Sequence, residues 1–392
     1  MRLLFVKHSL AWPRSSGHDV HTFHMMKACG ELGHDISLAT VVPPEPPAVA
    51  GAAIREYVRL TAPIDTTADA DPLPGTRLQH KFRSFWGVED DWVRSLRAAA
   101  RRIKPDAVIV GGLDALPFFP ALENTIRVWY AADEWVLHHL SMLQFRSGHF
   151  VDNLKGAAMK GLYERAHHHV MDRVWVVTER DRRAMQRIAG VRDVDVLPNG
   201  VDADFFKPGP EAVEPKTAVF WGRLDFGPNI QALEWFCRRV WPKVREAAPD
   251  ARFTIIGFQP TDAVKALAAA PGISLEANLR DLRASARRHS LAVLPLVSGA
   301  GIKNKLLEAA AMGLPVVCTP LATLGLRGTP PVVSATDAGE FAQALIKAWN
   351  DADGRPARSR AMREWVMREH SWRAAAETAI AALSGHEARV AK

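Results

Sequence analysis

Short apolar runs and amphipathic stretches alternate along most of the chain. Arg2–Val6 (RLLFV) is an apolar run that predicts a strand. A turn-rich segment to Asp19 follows, then a helical pattern, VHTFHMMKACGELGHDI, with Gly33 where a helix would stop. ISLAT resumes as a strand, which completes a βαβ unit. Further strands are predicted at Ala107–Gly111, Arg127–Ala131 and Arg173–Val177, with helical patterns at about 90–104 and 153–171 between them. Residues 63–76 read as loop.

The segment 197–215, LPNGVDADFFKPGPEAVEP, is dense in Pro, Gly, Asn and Asp and reads as a linker. The alternation then restarts. Strands are predicted at Ala218–Trp221, Phe253–Ile256, Leu291–Leu296 and Pro315–Cys318, with helices at 229–247, about 261–269 and about 302–312. The tail, 357–384, is helical and Arg-rich, and 386–392 is expected to be mobile. The expected fold is α/β, with two Rossmann-like doubly wound domains facing across a cleft. The domains are placed at 1–197 and 198–366, with 367–392 as a C-terminal segment.

Composition narrows this picture. A 392-residue chain, 48% hydrophobic, is too long for one ordinary core. No stretch approaches 18 uninterrupted apolar residues, so no transmembrane helix is expected, and the first residues read as a strand, not a secretory signal. Cys29, Cys237 and Cys318 are far apart, without metal-ligand spacing, and read as core residues of a protein in a reduced, cytoplasmic compartment. Net charge +7 favours anionic partners. Residues 77–104 carry eight Lys/Arg against three Asp/Glu among Phe and Trp, a composition suited to an anionic membrane surface. A solvated helix face over buried aromatics would give the same pattern. No nucleic-acid recognition motif is present.

In doubly wound sheets, ligands bind beyond the carboxyl ends of the strands, so the loops there carry the candidate chemistry. One such loop follows Leu296. Ser298-Gly299-Ala300-Gly301 leads into a helix near Ile302, where glycines permit close backbone approach and free N–H groups suit a diphosphate. Lys303 and Lys305 add positive charge, but two residues are roughly 200° apart on a helix, so one should sit in the frayed first turn. Glu308 follows Lys305 by three and could accept the hydroxyls of a ribose, or form a surface pair with that lysine. A second loop begins at Gly222-Arg223, where the planar guanidinium suits phosphate oxygens or a pair with Asp225. A third is the Asn199-Gly200 turn.

Taken together and in order, LPNGVD, FWGRLD and SGAGIKNKLLEAAAMGLPVV resemble glycosyltransferase family 4 of the GT-B fold. The tail REHSWRAAAE resembles the family's last helix, which crosses back onto the N-terminal domain. The resemblance implies retaining transfer of a sugar from a nucleotide-diphosphate donor of the UDP or GDP type, with no metal or other cofactor. The acceptor would be a saccharide or lipid-linked hydroxyl, as in polysaccharide or glycolipid assembly. It assigns donor binding to Gly17, Asn199, Gly222, Arg223, Gly299, Ala300, Gly301, Ile302, Lys303, Lys305 and Glu308, and catalysis to Asp133, Arg223 and Lys303. Glu134, His138 and His139 are further candidates near Asp133, and His18 or Asp19 could polarise an acceptor hydroxyl. Asp19 is equally placed to cap the first helix. Two positions depart from the pattern. Ala300 stands where many members carry a second glutamate, and Asn229 where many carry a lysine. Those departures leave room for a non-catalytic nucleotide-sugar-binding protein; a GT-B epimerase is the other enzymatic alternative, but it would want carboxylates flanking the sugar carbon, and Ala300 does not help it. His167-His168-His169 lacks partner ligands at metal spacing.

Overall fold

The computed structural model describes residues 1–11, 17–61, 72–132, 136, 150–299 and 302–390. The chain divides into two compact units, one of residues 1–198 with 372–392, the other of 199–371.

In the first unit the elements run β1 (Arg2–Lys7), α1 (Gly17–Glu31), β2 (Asp35–Thr40), α2 (Pro46–Gly51), β3 (Glu56–Arg59), α3 (Arg77–Phe85) and α4 (Asp90–Ile103). Then come β4 (Ala107–Gly111), β5 (Ile126–Ala132), α5 (Phe150–His167), β6 (Arg173–Val176), α6 (Glu179–Ile188) and β7 (Val194–Val196). The strands form one parallel sheet in the order β3-β2-β1-β4-β5-β6-β7. Its central strands are continuous apolar runs because both faces are covered. Leu4, Val6, Val108 and Val110 enter one core, while Leu3, Phe5, Ile109 and Val128 enter the other. Gly33 ends α1 in the left-handed region at φ 85°, where a Cβ would be strained.

The second unit runs β8 (Glu214–Arg223), α7 (Gly227–Trp235), α8 (Trp241–Ala247), β9 (Arg252–Phe258), α9 (Asp262–Leu267), β10 (Ile273–Ala277), α10 (Arg283–Arg287) and β11 (His289–Leu294). It continues with α11 (Asn304–Ala311), β12 (Val316–Cys318), β13 (Val333–Ser334), α12 (Ala338–Asn350) and α13 (Arg355–Glu369). Its parallel sheet has the order β10-β9-β8-β11-β12-β13. The last helix, α14 (Trp372–Val390), belongs to the first unit and packs along α1.

Four expectations change. The helix foreseen over 229–247 is broken by a π-helical turn, Phe236–Val240. Pro242 lies in the first turn of α8, and the wider turn accommodates a ring that lacks an N–H and would crowd an α-helical carbonyl. The strand foreseen at Ala218–Trp221 extends from Glu214 to Arg223. The mobile tail foreseen from residue 386 is helical to Val390. The Pro- and Gly-rich segment after Leu197 is fastened to the second unit. Arg283 donates to the Phe205 carbonyl at 2.7 Å, and Arg287 holds both oxygens of Glu211 at 2.8 and 2.7 Å. No helix among the described residues is long and apolar enough to cross a membrane.

Candidate active site

In the second unit the site is built on the carboxyl ends of β8 and β11 and the start of α11. Strands β8 and β9 approach so closely at Gly222 and Gly257 that a Cβ on Gly257 would lie 1.9 Å from the Gly222 carbonyl oxygen. Gly222 itself has φ 151°, and a side chain there would meet Asn229 Nδ2 at 3.0 Å and Lys305 Nζ at 3.1 Å. The glycine pair therefore clears the floor of the site.

Lys305 reaches this floor from α11. Its ammonium donates to Asn229 Oδ1 at 2.7 Å and lies 4.1 Å from the centre of the Phe220 ring. Asn229 in turn donates to the Arg223 carbonyl at 2.7 Å. Burial pushes the Lys305 pKa down to about 7, with Glu308 opposing the shift and Lys303 adding to it. The amide oxygen of Asn229 thus holds Lys305 in place.

Glu308 is not a surface partner of Lys305. It lies one turn along α11 and accepts the indole N–H of buried Trp221 at 2.6 Å. Burial raises its pKa, while the Trp221 hydrogen bond and then Lys305 pull it back. Lys303 occupies the N-cap position of α11, before the regular helix, with φ −92° and ψ 89°. The two lysines are therefore no longer constrained by helical spacing. Gly299 takes φ 106°, and a Cβ there would sit 3.4 Å from Pro228 and 3.5 Å from Lys303 Nζ. Ser298 donates to Gln231, and Asn199 donates to Asn304 Oδ1 at 2.6 Å, which ties the Asn-Gly turn to the first residue of α11. Ile302 packs on the core beneath. Arg223 is half exposed and forms a two-bond pair with Asp225, at 3.1 and 2.6 Å. Ala300 and Gly301 lie outside the described residues.

A polar cluster in the first unit sits at the carboxyl ends of β1, β4 and β5. Asp19 lies in the first turn of α1, which begins at Gly17, so it is not the helix cap. Its carboxylate instead pairs with the Lys7 ammonium, both buried. His18 Nε2 lies 3.2 Å from the Tyr130 carbonyl. Its pKa falls to about 4, by burial first and then by the Lys7 charge, with the Tyr130 carbonyl and Asp19 opposing. His21 Nδ1 shares a short hydrogen bond with the Tyr130 hydroxyl, and Trp372 of α14 closes over His21 and His24. Gly111 gives this cluster room, since a Cβ would lie 3.3 Å from His18 Cε1. Sequence reasoning missed Lys7, His21 and Tyr130. A lysine ending an otherwise apolar strand was the available signal. Asp133, Glu134, His138 and His139 lie outside the described residues.

His167 is buried with Nδ1 2.9 Å from the Tyr163 carbonyl, whereas exposed His168 faces the Arg165 carbonyl at 2.6 Å. No group of three or more potential ligands suited to a metal occurs among the described residues. All three cysteines are buried, their thiols pushed up to about 12 by burial.

Comparisons with known proteins bear on the fold. Residues 215–351 match the family model described as Glycosyl transferases group 1. Sucrose-phosphate synthase from Thermosynechococcus elongatus superimposes with a TM-score of 0.71 at 13% identity, covering 99% of this chain and 100% of that one. HepE from Anabaena, solved with UDP and glucose, gives 0.66 at 14% identity, covering 97% and 99%. The fold is that of GT-B glycosyltransferases. TarM from S. aureus, solved with fondaparinux, α-GlcNAc-glycerol and UDP, matches this GT-B fold with 0.68 at 11% identity, covering 98% and 100%. No curated protein sequence matches the chain. The matched segment, 215–351, contains Gly222, Arg223, Asn229, Lys303, Lys305 and Glu308.

Proposed function

We propose that this protein is a retaining, metal-independent family 4 hexosyltransferase that moves a sugar from a nucleotide-diphosphate sugar to a hydroxyl of a saccharide or lipid-linked acceptor. The observation that carries the reading is the loop-to-helix arrangement at α11. A positive-φ Gly299 and Lys303 precede the helix, and Glu308 is fixed one turn in by Trp221. The diphosphate lies against the helix start, where N–H groups lack intrahelical partners, with Lys303, Lys305 and Arg223 supplying positive charge. Glu308 accepts the ribose hydroxyls. The binding of UDP and glucose by HepE supports a donor of this class.

As the bond between the sugar's anomeric carbon and the diphosphate oxygen breaks, negative charge grows on the leaving diphosphate. Cations placed there lower the barrier, at about 1.5–3 kcal/mol for each charge-assisted hydrogen bond. Two such bonds, made only in the transition state, supply roughly 10²- to 10⁴-fold in rate without a metal. The acceptor oxygen forms the new bond to the same carbon, and its proton leaves with the departing group. His18 and Asp19 serve the acceptor side, and Gly17 and Asp133 the donor sugar. Of these, Asp19 acts through Lys7, because that ion pair already occupies it.

The same reading places the enzyme in the cytoplasm, touching the inner membrane face through residues 77–104 in polysaccharide or glycolipid assembly. Phe85 and Leu78 of α3 are exposed, and α3 packs on α5, which exposes Val151, Leu154 and Leu162. Sedimentation with anionic liposomes at low salt tests this contact, and absence of binding removes it. The transfer itself is tested with a panel of nucleotide sugars. Transfer or hydrolysis of one donor, reduced about 100-fold or more in Lys303→Ala, is expected. If no donor binds and Lys303→Ala changes nothing, the reading fails.

A further inference from the structure

An unassigned cavity lies at the opposite end of the first sheet from its polar cluster, where β1 and β5 begin. It has a volume of about 1070 Å³ and is walled by the second half of α4, the 104–106 turn, the 121–127 segment and His386 of α14. Arg97 reaches into it from α4. This side chain is 6% exposed, and its Nε and Nη1 atoms have no hydrogen-bond partner among the described residues. A guanidinium buried in that condition costs free energy unless an anion meets it. It does not serve the helix dipole either, because it precedes the last turn of α4.

Two of the three carboxylates in the wall are already engaged, and the third, Glu123, is exposed. Asp172 accepts two bonds from Arg127, at 3.0 and 2.9 Å, and Asp106 accepts the Arg2 backbone N–H at 2.7 Å. Neither is available to neutralise Arg97. Thr125 contributes a second unsatisfied group, since its buried hydroxyl also has no partner among the described residues. Lys104 closes the wall from a left-handed C-cap position at φ 49°. A planar fork, a hydroxyl donor and an ammonium around one cavity match the several acceptor oxygens of a phosphoryl group.

We infer that this cavity is an anion site that takes a phosphate monoester group, held by Arg97 with Thr125 and Lys104. It is separate from the donor site, which belongs to the other unit. Two sources carry such a group, a small phosphorylated metabolite or a phosphatidate headgroup.

The test uses the full chain, because the site is independent of turnover. Inorganic phosphate is titrated at constant ionic strength against the parent, Arg97→Met, Thr125→Val and Lys303→Ala, with thermal unfolding and ³¹P line broadening as readouts. The parent should be stabilised by phosphate and retain that response in Lys303→Ala, where the donor-site contribution is weakened. Arg97→Met should weaken binding roughly 10- to 100-fold, and Thr125→Val by less. Without phosphate, Arg97→Met should be at least as stable as the parent, because it removes an uncompensated buried charge. A parallel arm sediments the same proteins with phosphatidylcholine vesicles containing phosphatidate. Arg97-dependent binding of free phosphate assigns a metabolite, and Arg97-dependent binding of vesicles alone assigns the headgroup. If Arg97→Met fails to fold, Thr125→Val carries the comparison. A response that disappears in Lys303→Ala, or that neither cavity variant alters in either arm, overturns the inference.

Discussion

Trp221, at the end of a buried strand, donates its indole N–H to Glu308 on α11 at 2.6 Å. The contact fixes a half-buried carboxylate whose pKa burial has already raised. Phenylalanine at position 221 keeps the packing and removes the donor. The Glu308 pKa should then rise further, because the bond that pulls it down is gone. A protonated carboxyl accepts ribose hydroxyls less well, so Trp221→Phe should weaken nucleotide binding, and more so at lower pH than at higher pH. Calorimetric titration with a nucleoside diphosphate across a range of pH measures this. Equal affinities for parent and variant would separate Glu308 from the ribose.

Lys305 gives a pH signature of its own. In the empty site its pKa is about 7, so above neutrality it is largely uncharged. A diphosphate favours the ammonium and must raise that pKa on binding. Binding at pH 8 should therefore take up a substantial fraction of a proton. Affinity should fall as pH rises above 7, levelling once the bound-state pKa is passed. Titrations in buffers of different ionisation enthalpy read the uptake directly. Lys305→Met should abolish it, and unchanged uptake in that variant would assign the proton elsewhere.

The two paired interactions differ in how visible they were beforehand. The strands, the glycine loop before α11 and the placement of Lys303 outside the helix follow from local rules of period, turn and spacing. The Trp221–Glu308 bond joins residues 87 apart, and the Lys7–Asp19 and His21–Tyr130 contacts exist only once β1, α1 and β5 are assembled. No local pattern encodes such meetings. Asp19 illustrates the limit. An acid before a helical stretch reads as a cap, but Lys7 at the end of β1 captures it instead. Pro242 has a local cause of its own: it lies in the first turn of α8, where a ring without an N–H is tolerated, but it would break a continuous helix over 229–247.

The Gly222–Gly257 approach predicts a large stability effect. A methyl group on Gly257 would lie 1.9 Å from a backbone oxygen and 2.7 Å from Leu224 Cγ, so a strand must move. Overpacking of this kind costs about 1–3 kcal/mol and sometimes more, and here it falls on backbone that cannot rotate away. Gly257→Ala should lower the melting temperature of the second unit by roughly 5–10 °C. It should also weaken nucleotide binding by displacing Gly222. Differential scanning calorimetry decides the first point, and a melting temperature within a degree of the parent would show that β8 and β9 separate without cost.

Acid sensitivity should come from the first unit, through histidines held neutral by their surroundings. His167 is fully buried, bonded through Nδ1 to the Tyr163 carbonyl, and its pKa falls to about 4 from 6.5. Burial is the main cause, the Tyr163 carbonyl opposes it and His169 adds to it. His18 also falls to about 4. With the folded pKa below the unfolded one, the neutral ring's stability is fully present above pH 6.5. It is lost as pH falls toward 4, because the unfolded chain takes the proton first. For His167 the whole loss is roughly 3 kcal/mol, at 1.36 kcal/mol per pKa unit. His167→Gln preserves a donor for the Tyr163 carbonyl and cannot titrate. It should be about 1 kcal/mol less stable than the parent at pH 7.5. The gap should close and then reverse by pH 5, as the parent loses its histidine contribution and the variant does not. Urea unfolding of both proteins across pH 4.5–7.5 tests the crossing. A constant difference over that range would mean that His167 is protonated in the folded protein or carries no linkage to folding.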